Sequence, residues 1–146
     1  MLYKGRTTED RWLLIDRRLR STSVGPNMPY KFEKLEIYQL ALDYLDLIYA
    51  LADRLPRNEE YNLRSQMIRA GTSIVLNIAE GSTGQTDPEQ SQFLGITLRS
   101  LLETVACQNI IERRKYLDME ELKIIYEVSQ KLFAKIQAMR KALDSD

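Results

Sequence analysis

Apolar residues recur along this chain at alternating steps of three and four, the spacing of helices that bury one face. From Phe32 to Leu55 they form two parallel seams. Leu35, Tyr38, Leu42, Leu45, Tyr49 and Ala52 make the first. Ile37, Ala41, Tyr44, Ile48, Leu51 and Leu55 make the second, about 100° further round the helix. Leu40 and Leu47 widen the apolar surface, and only Glu36, Gln39, Asp43, Asp46 and Asp53 mark a wet strip. One face of a small bundle does not cover that much apolar surface. The pattern therefore predicts that Ile37, Tyr44, Ile48 and Leu51 contact another subunit.

Three more helices follow. The second is predicted over Glu59 to Glu80, with Leu63, Met67, Ala70 and Ile74 as its seam and Gln66, Arg69, Ser73 and Glu80 as a polar ribbon beside it. Gly81 is expected to close it in a left-handed conformation. The third opens at Asp87-Pro88-Glu89-Gln90, read as an acidic N-cap followed by proline at the first helical position. Its seam of Phe93, Ile96, Ser100, Glu103, Cys107 and Ile110 is interrupted by two polar groups. The fourth begins with the capping box Asp118-Met119-Glu120-Glu121 and carries Leu122, Ile125, Leu132, Ile136, Met139 and Leu143 on one face. Short connections between four such helices predict an all-α, antiparallel, up-down-up-down four-helix bundle over residues 29–146.

Ahead of the bundle, residues 1–28 form a leader. Trp12, Ile15 and Leu19 share one face of a short amphipathic stretch, with Arg11, Arg17, Arg18 and Arg20 around it. Ser21 to Asn27 then reads as a linker ending at Met28. The leader is either an added arm or upstream sequence translated from an early start, and its plain reading is a poorly ordered tail.

The 146 residues suffice for one core, and 44% hydrophobic with 29% charged residues is a globular composition. There is no histidine and one cysteine, Cys107. Histidine metal sites and histidine-activated nucleophiles are therefore excluded. A di-iron centre of the ferritin type also needs Glu-x-x-His motifs, so Glu80 and Glu103 do not make one. No Gly-rich phosphate loop appears either, and we expect no enzymatic activity, metal or cofactor. A lone cysteine and the absence of a secretion signal point to the cytoplasm.

Twenty-one basic residues balance twenty-one acidic ones, which gives no general attraction to nucleic acid. The balance is uneven locally: residues 1–28 carry six cations and three carboxylates, residues 29–56 three and five. Arg113, Arg114 and Lys115 suit the negative end of the third helix. A sharper reading joins them to Arg17, Arg18 and Arg20 as a phosphate-binding patch, with Tyr116 for stacking. Asn77, Ser100 and Glu103 are read as buried polar groups that pair across helices two and three with Arg69, with Glu80 on the same edge, and so fix register. Tyr38, Tyr44, Tyr49 and Tyr126 are expected to pack with their hydroxyls near the rim, and Cys107 to be a small core residue.

The stretches Phe32-Glu33-Lys34-Leu35-Glu36-Ile37-Tyr38, Ser65-Gln66-Met67-Ile68-Arg69-Ala70, Ser73-Ile74 and Asn77-Ile78-Ala79-Glu80-Gly81 resemble the four-helix-bundle proteins encoded in intervening sequences of bacterial 23S ribosomal RNA genes. The likeness covers about residues 30–143. Phe93, Ser100 and Glu103 match that family's third helix, whereas Arg99 stands where it usually has a small glycine. The resemblance implies a cytoplasmic, non-enzymatic protein assembling with itself into a closed ring, commonly a pentamer. A related branch, the accessory protein of diversity-generating retroelements, partners a reverse transcriptase and holds nucleic acid on a strongly basic surface. A pI of about 6.4 fits that role poorly. Two readings result: a homo-oligomeric interaction or scaffold protein, and a nucleic-acid-binding accessory subunit for a reverse transcriptase or structured RNA.

Overall fold

The computed structural model describes residues 29–83 and 86–145. The leader, with Arg17, Arg18 and Arg20, lies outside the described residues. Four α-helices, and no strand, are found among those described: α1 (Glu36–Ala52), α2 (Ser65–Gly81), α3 (Asp87–Arg113) and α4 (Met119–Asp144). Each packs on its sequence neighbour, and α4 closes back on α1, which is the predicted bundle. Side-chain pairs give the directions. Glu36 meets Lys135 at one end of the α1–α4 edge and Arg54 meets Glu121 at the other, so these helices are antiparallel.

Helix boundaries depart from the predicted blocks for local reasons. Residues Lys31–Lys34 form a 3-10 turn, ended by extended backbone at Leu35 (φ −71°, ψ 130°), so α1 begins only at Glu36. Phe32 holds this turn through an edge-on contact with Tyr38, ring centroids 4.9 Å apart. Before α2 the chain makes a 3-10 turn (Arg57–Glu59) and a π-helical turn (Glu60–Arg64), so regular helix starts six residues later than the periodicity predicts. The cap of α3 is Thr86, whose backbone N–H donates to Glu89 Oε2, and Asp87 is already helical. At α4 the expected capping box is present in both directions: Glu121 N donates to Asp118 Oδ1, and Asp118 N to Glu121 Oε2.

Gly81 corrects its predicted role. It is the last residue of α2, and the backbone beyond it is right-handed at Ser82 (φ −100°). What requires glycine is proximity, since a Cβ at Gly81 would lie 2.7 Å from Phe93 Cβ on α3. The left-handed residue occurs instead at Lys115 (φ 61°). There, Tyr116 N donates to Ile111 O and Lys115 N to Glu112 O, the paired bonds that close a helix C-terminus.

The core contains Leu40, Met67, Ile74, Ile78, Leu94, Leu101, Ile111, Val128, Leu132 and Ile136, each essentially inaccessible. It also contains Ile37, Tyr44, Ile48 and Leu51, at 5, 0, 0 and 7% exposure. These four were expected at a subunit contact. The second seam of α1 is covered by the chain's own elements, so it offers nothing to a neighbour.

Candidate interaction surface

The helix pair α2–α3 has the most extensive packing in the bundle. Ser73 Oγ lies 2.9 Å from Ser100 Oγ across the pair, and Asn77 Nδ2 donates to Ser73 O (2.8 Å) and Ser73 Oγ (2.9 Å). Together with Gly81 beneath Phe93, these contacts set the register of two antiparallel helices. The Asn-Ile-Ala-Glu-Gly run thus divides its work by position. Asn77 ties to Ser73, Ile78 enters the core, Glu80 faces water, and Gly81 admits Phe93.

Only Asn77 and Ser100 of the predicted polar network are brought together, and Ser73 is the residue that joins them. Arg69, Glu80 and Glu103 are exposed. Arg69 bonds Gln66 on its own helix rather than Glu103. The physical reason is rotation: these three occupy the outward strip of the pair, where water solvates their charges and no burial forces them to pair. Arg99 lies on that strip too, where an arginine has room that a packed glycine position would deny it.

A different polar network is buried. Tyr44 on α1, completely enclosed, has its hydroxyl 2.7 Å from Thr104 Oγ1 and accepts from Gln108 Nε2 at 2.9 Å. Thr104 Oγ1 donates to Leu101 O at 2.6 Å, so its proton is used there and Tyr44 is the donor between the two hydroxyls. Burial raises the Tyr44 hydroxyl pKa to about 12, against the two hydrogen bonds that lower it. Tyr44 is therefore no rim tyrosine. Tyr49 and Tyr126 are, with 45 and 44% exposure. Cys107 is buried, and burial followed by the nearby Glu103 charge raises its thiol pKa, as befits an unreactive packing residue. Sequence reading missed Thr104 and Gln108 because both fall outside the seams drawn on α3; their spacing of four was the available signal.

The outward faces of α2 and α3 combine charge with exposed apolar side chains. On α3, Ile96, Arg99, Glu103, Ala106, Ile110 and Arg113 recur at steps of three and four, and all are exposed. Ile96 and Ile110 are 44 and 46% accessible, and Leu102 beside them 54%. Leu76 on α2 is likewise 54% accessible.

Arg113, Arg114 and Lys115 are exposed at the end of the bundle where α1 meets α2 and α3 meets α4. They do not make a basic patch. Residues 53–64 contribute three cations and three carboxylates to this end, and residues 112–123 four of each. Arg64 pairs with Asp53 at 2.9 Å, and Arg54 with Glu121, whose carboxyl pKa is lowered chiefly by that bond. Tyr116 is partly buried and packs against the core.

Among the described residues no group of three or more His, Cys, Asp or Glu could hold a metal, and no helix is long and apolar enough to cross a membrane. Fold and surface define a class of helical bundle whose motif residues serve helix register while its outward face stays open. The chain belongs to the family of 23S rRNA-intervening sequence proteins, which matches residues 33–138. No curated protein matches it in sequence.

Proposed function

We propose that this protein is a non-catalytic, cytoplasmic interaction protein that assembles with copies of itself through the outward face of α2 and α3. The observation that carries this reading is the exposed apolar set on those adjoining helices, Leu76, Ile96, Leu102 and Ile110. Large apolar side chains flanked by Arg69, Arg99, Glu80 and Glu103 form the mixed surface that protein partners use, with apolar anchors and a polar rim. A closed ring, the arrangement implied by family resemblance, covers such a face on every copy. This assignment moves the contact from the buried seam of α1 to an accessible surface.

Sedimentation velocity at micromolar concentration tests the proposal. We expect a species several times the 17.0 kDa chain mass, dispersed by Leu76→Asp with Ile96→Asp while helix content is retained. A monomer in the unmodified protein refutes the reading. A salt-dependent shift assay with structured RNA tests the nucleic-acid alternative, which the balanced charge at the Arg113–Lys115 end disfavours.

A further inference from the structure

Arg140 on α4 donates from Nε to Ser91 Oγ on α3 at 3.4 Å, and its guanidinium lies over Gly95, where a Cβ would stand 3.0–3.3 Å from it. That contact marks the side on which the two helices meet. Counting outward from it at 100° per residue, one sector of each helix, about 100° wide, forms a wall of the groove between them. Met119, Tyr126 and Phe133 recur at steps of seven along the α4 wall, and Leu102 stands on the α3 wall. Met119, Tyr126 and Leu102 are 69, 44 and 54% exposed, and Phe133 is partly buried against the core. The floor is thus apolar and open over about 21 Å, the helical rise from Met119 to Phe133.

Charge in the same sectors is one-sided. They hold Arg99 and Arg113 on α3 and Lys123, Arg140 and Lys141 on α4, against a single carboxylate, Asp144, at the far end of α4. Asp87, Glu103, Glu112, Glu120 and Glu127 fall outside them. Among the described residues none of those five cations is in an ion pair, whereas Arg54, Arg64 and Lys135 each have a carboxylate. A chain with as many carboxylates as cations has therefore gathered five cations along one apolar groove.

We propose that the α3–α4 groove binds an acidic amphipathic helix of another protein, with its apolar stripe on Tyr126, Phe133 and Leu102 and its carboxylates toward the arginines and lysines on either side. A groove between two antiparallel helices takes a third helix through apolar anchors spaced one or two turns apart, and the steps of seven on α4 match that spacing. Cations border the floor on both walls, which complements carboxylates on both flanks of such a stripe. A nucleic-acid strand needs stacking platforms beside one track of phosphates, and Met119 and Leu102 are not platforms. Nor does a second copy supply the helix: α1, the chain's own helix without cations, pairs Glu36 with Lys135 and buries Asp43. The groove adjoins the α2–α3 face at Leu102 and is otherwise distinct from it, so one copy holds this partner without giving up contact with its neighbours.

The probe is a fluorescein-labelled synthetic helix of about 18 residues, with leucine at heptad positions a and d and glutamate at e and g, held at nanomolar concentration, titrated with the full chain and read by anisotropy. We expect saturable binding at micromolar protein that weakens as salt is added. Lys123→Glu with Tyr126→Ser should weaken it about tenfold or more. Both positions are exposed, so helix content and sedimentation should stay as in the parent. Leu76→Asp with Ile96→Asp, which disperses the copies, should bind the probe as the parent does. Absence of probe binding overturns the proposal. Equal binding of the same helix with lysine in place of glutamate also overturns it, as does an affinity that the Lys123 and Tyr126 substitutions leave unchanged. Tighter binding of a single strand of about 20 uridines than of the peptide places nucleic acid in the groove and overturns it as well.

Discussion

Replacing Tyr44 by Phe removes one oxygen from the centre of the bundle, and its cost follows from the directions of the hydrogen bonds. Gln108 Nε2 loses its acceptor at 2.9 Å, and Gln108 Oε1 already has no hydrogen-bond partner among the described residues. A buried amide left without bonds costs about 1–3 kcal/mol. Thr104 loses the Tyr44 donor but keeps its own bond to Leu101 O, a smaller penalty. The sum is about 2–3 kcal/mol, a large part of the 5–15 kcal/mol typical of a domain. In urea, with m of about 2 kcal/mol/M, the midpoint should fall by about 1 M at fixed protein concentration. Gln108→Leu added to Tyr44→Phe should recover most of the loss, since no polar partner is then stranded. The hydroxyl also leaves a signature in alkali. Its folded pKa of about 12 exceeds the ordinary 10, so the unfolded chain releases this proton first. Tyr44 therefore contributes stability that is complete below pH 10 and lost as pH rises toward 12, on the order of 3 kcal/mol for a shift of about two pKa units. The Phe variant should lack that part of the alkaline decline. A variant within 0.5 kcal/mol of the parent, with an unchanged slope between pH 10 and 12, would refute the reasoning.

Gly81→Ala should destabilise by about 1–3 kcal/mol in thermal melts, because the new methyl meets Phe93 Cβ at 2.7 Å and one helix must move. Lys115→Gly should raise stability by roughly 0.5–1 kcal/mol by relieving a left-handed lysine, provided the closing bonds to Ile111 and Glu112 persist, which amide exchange at Tyr116 would report. Asp118→Ala should cost about 1 kcal/mol in urea unfolding by removing the acceptor for Glu121 N at the start of α4. Glu103→Ala should change stability by less than about 0.5 kcal/mol, because the carboxylate is exposed; a loss of several kcal/mol in calorimetry would reinstate the buried pairing with Arg69.

Much of the architecture is determined locally. The three-and-four spacing of apolar residues, the Asp118 capping box and the turn residues near Pro56 and Pro88 specify four helices and short connections without reference to distant contacts. The family motif is local as well, since Asn77 reaches Ser73 one turn away on its own helix. Periodicity places a residue on a helix face but does not say which neighbour that face meets. Hence Ile37, Tyr44, Ile48 and Leu51 looked like surplus apolar surface, and only packing showed that the chain itself encloses them. Glu103 and Ser100 share a sequence seam, yet a small rotation about α3 leaves Ser100 against Ser73 and Glu103 in water. Gly81 carries the sequence signature of a helix stop, but its necessity comes from Phe93, a residue on another helix. Spacing within one helix is a property of the sequence, whereas burial, hydrogen-bond partners and close approach between helices depend on which faces meet, and tertiary packing alone decides that.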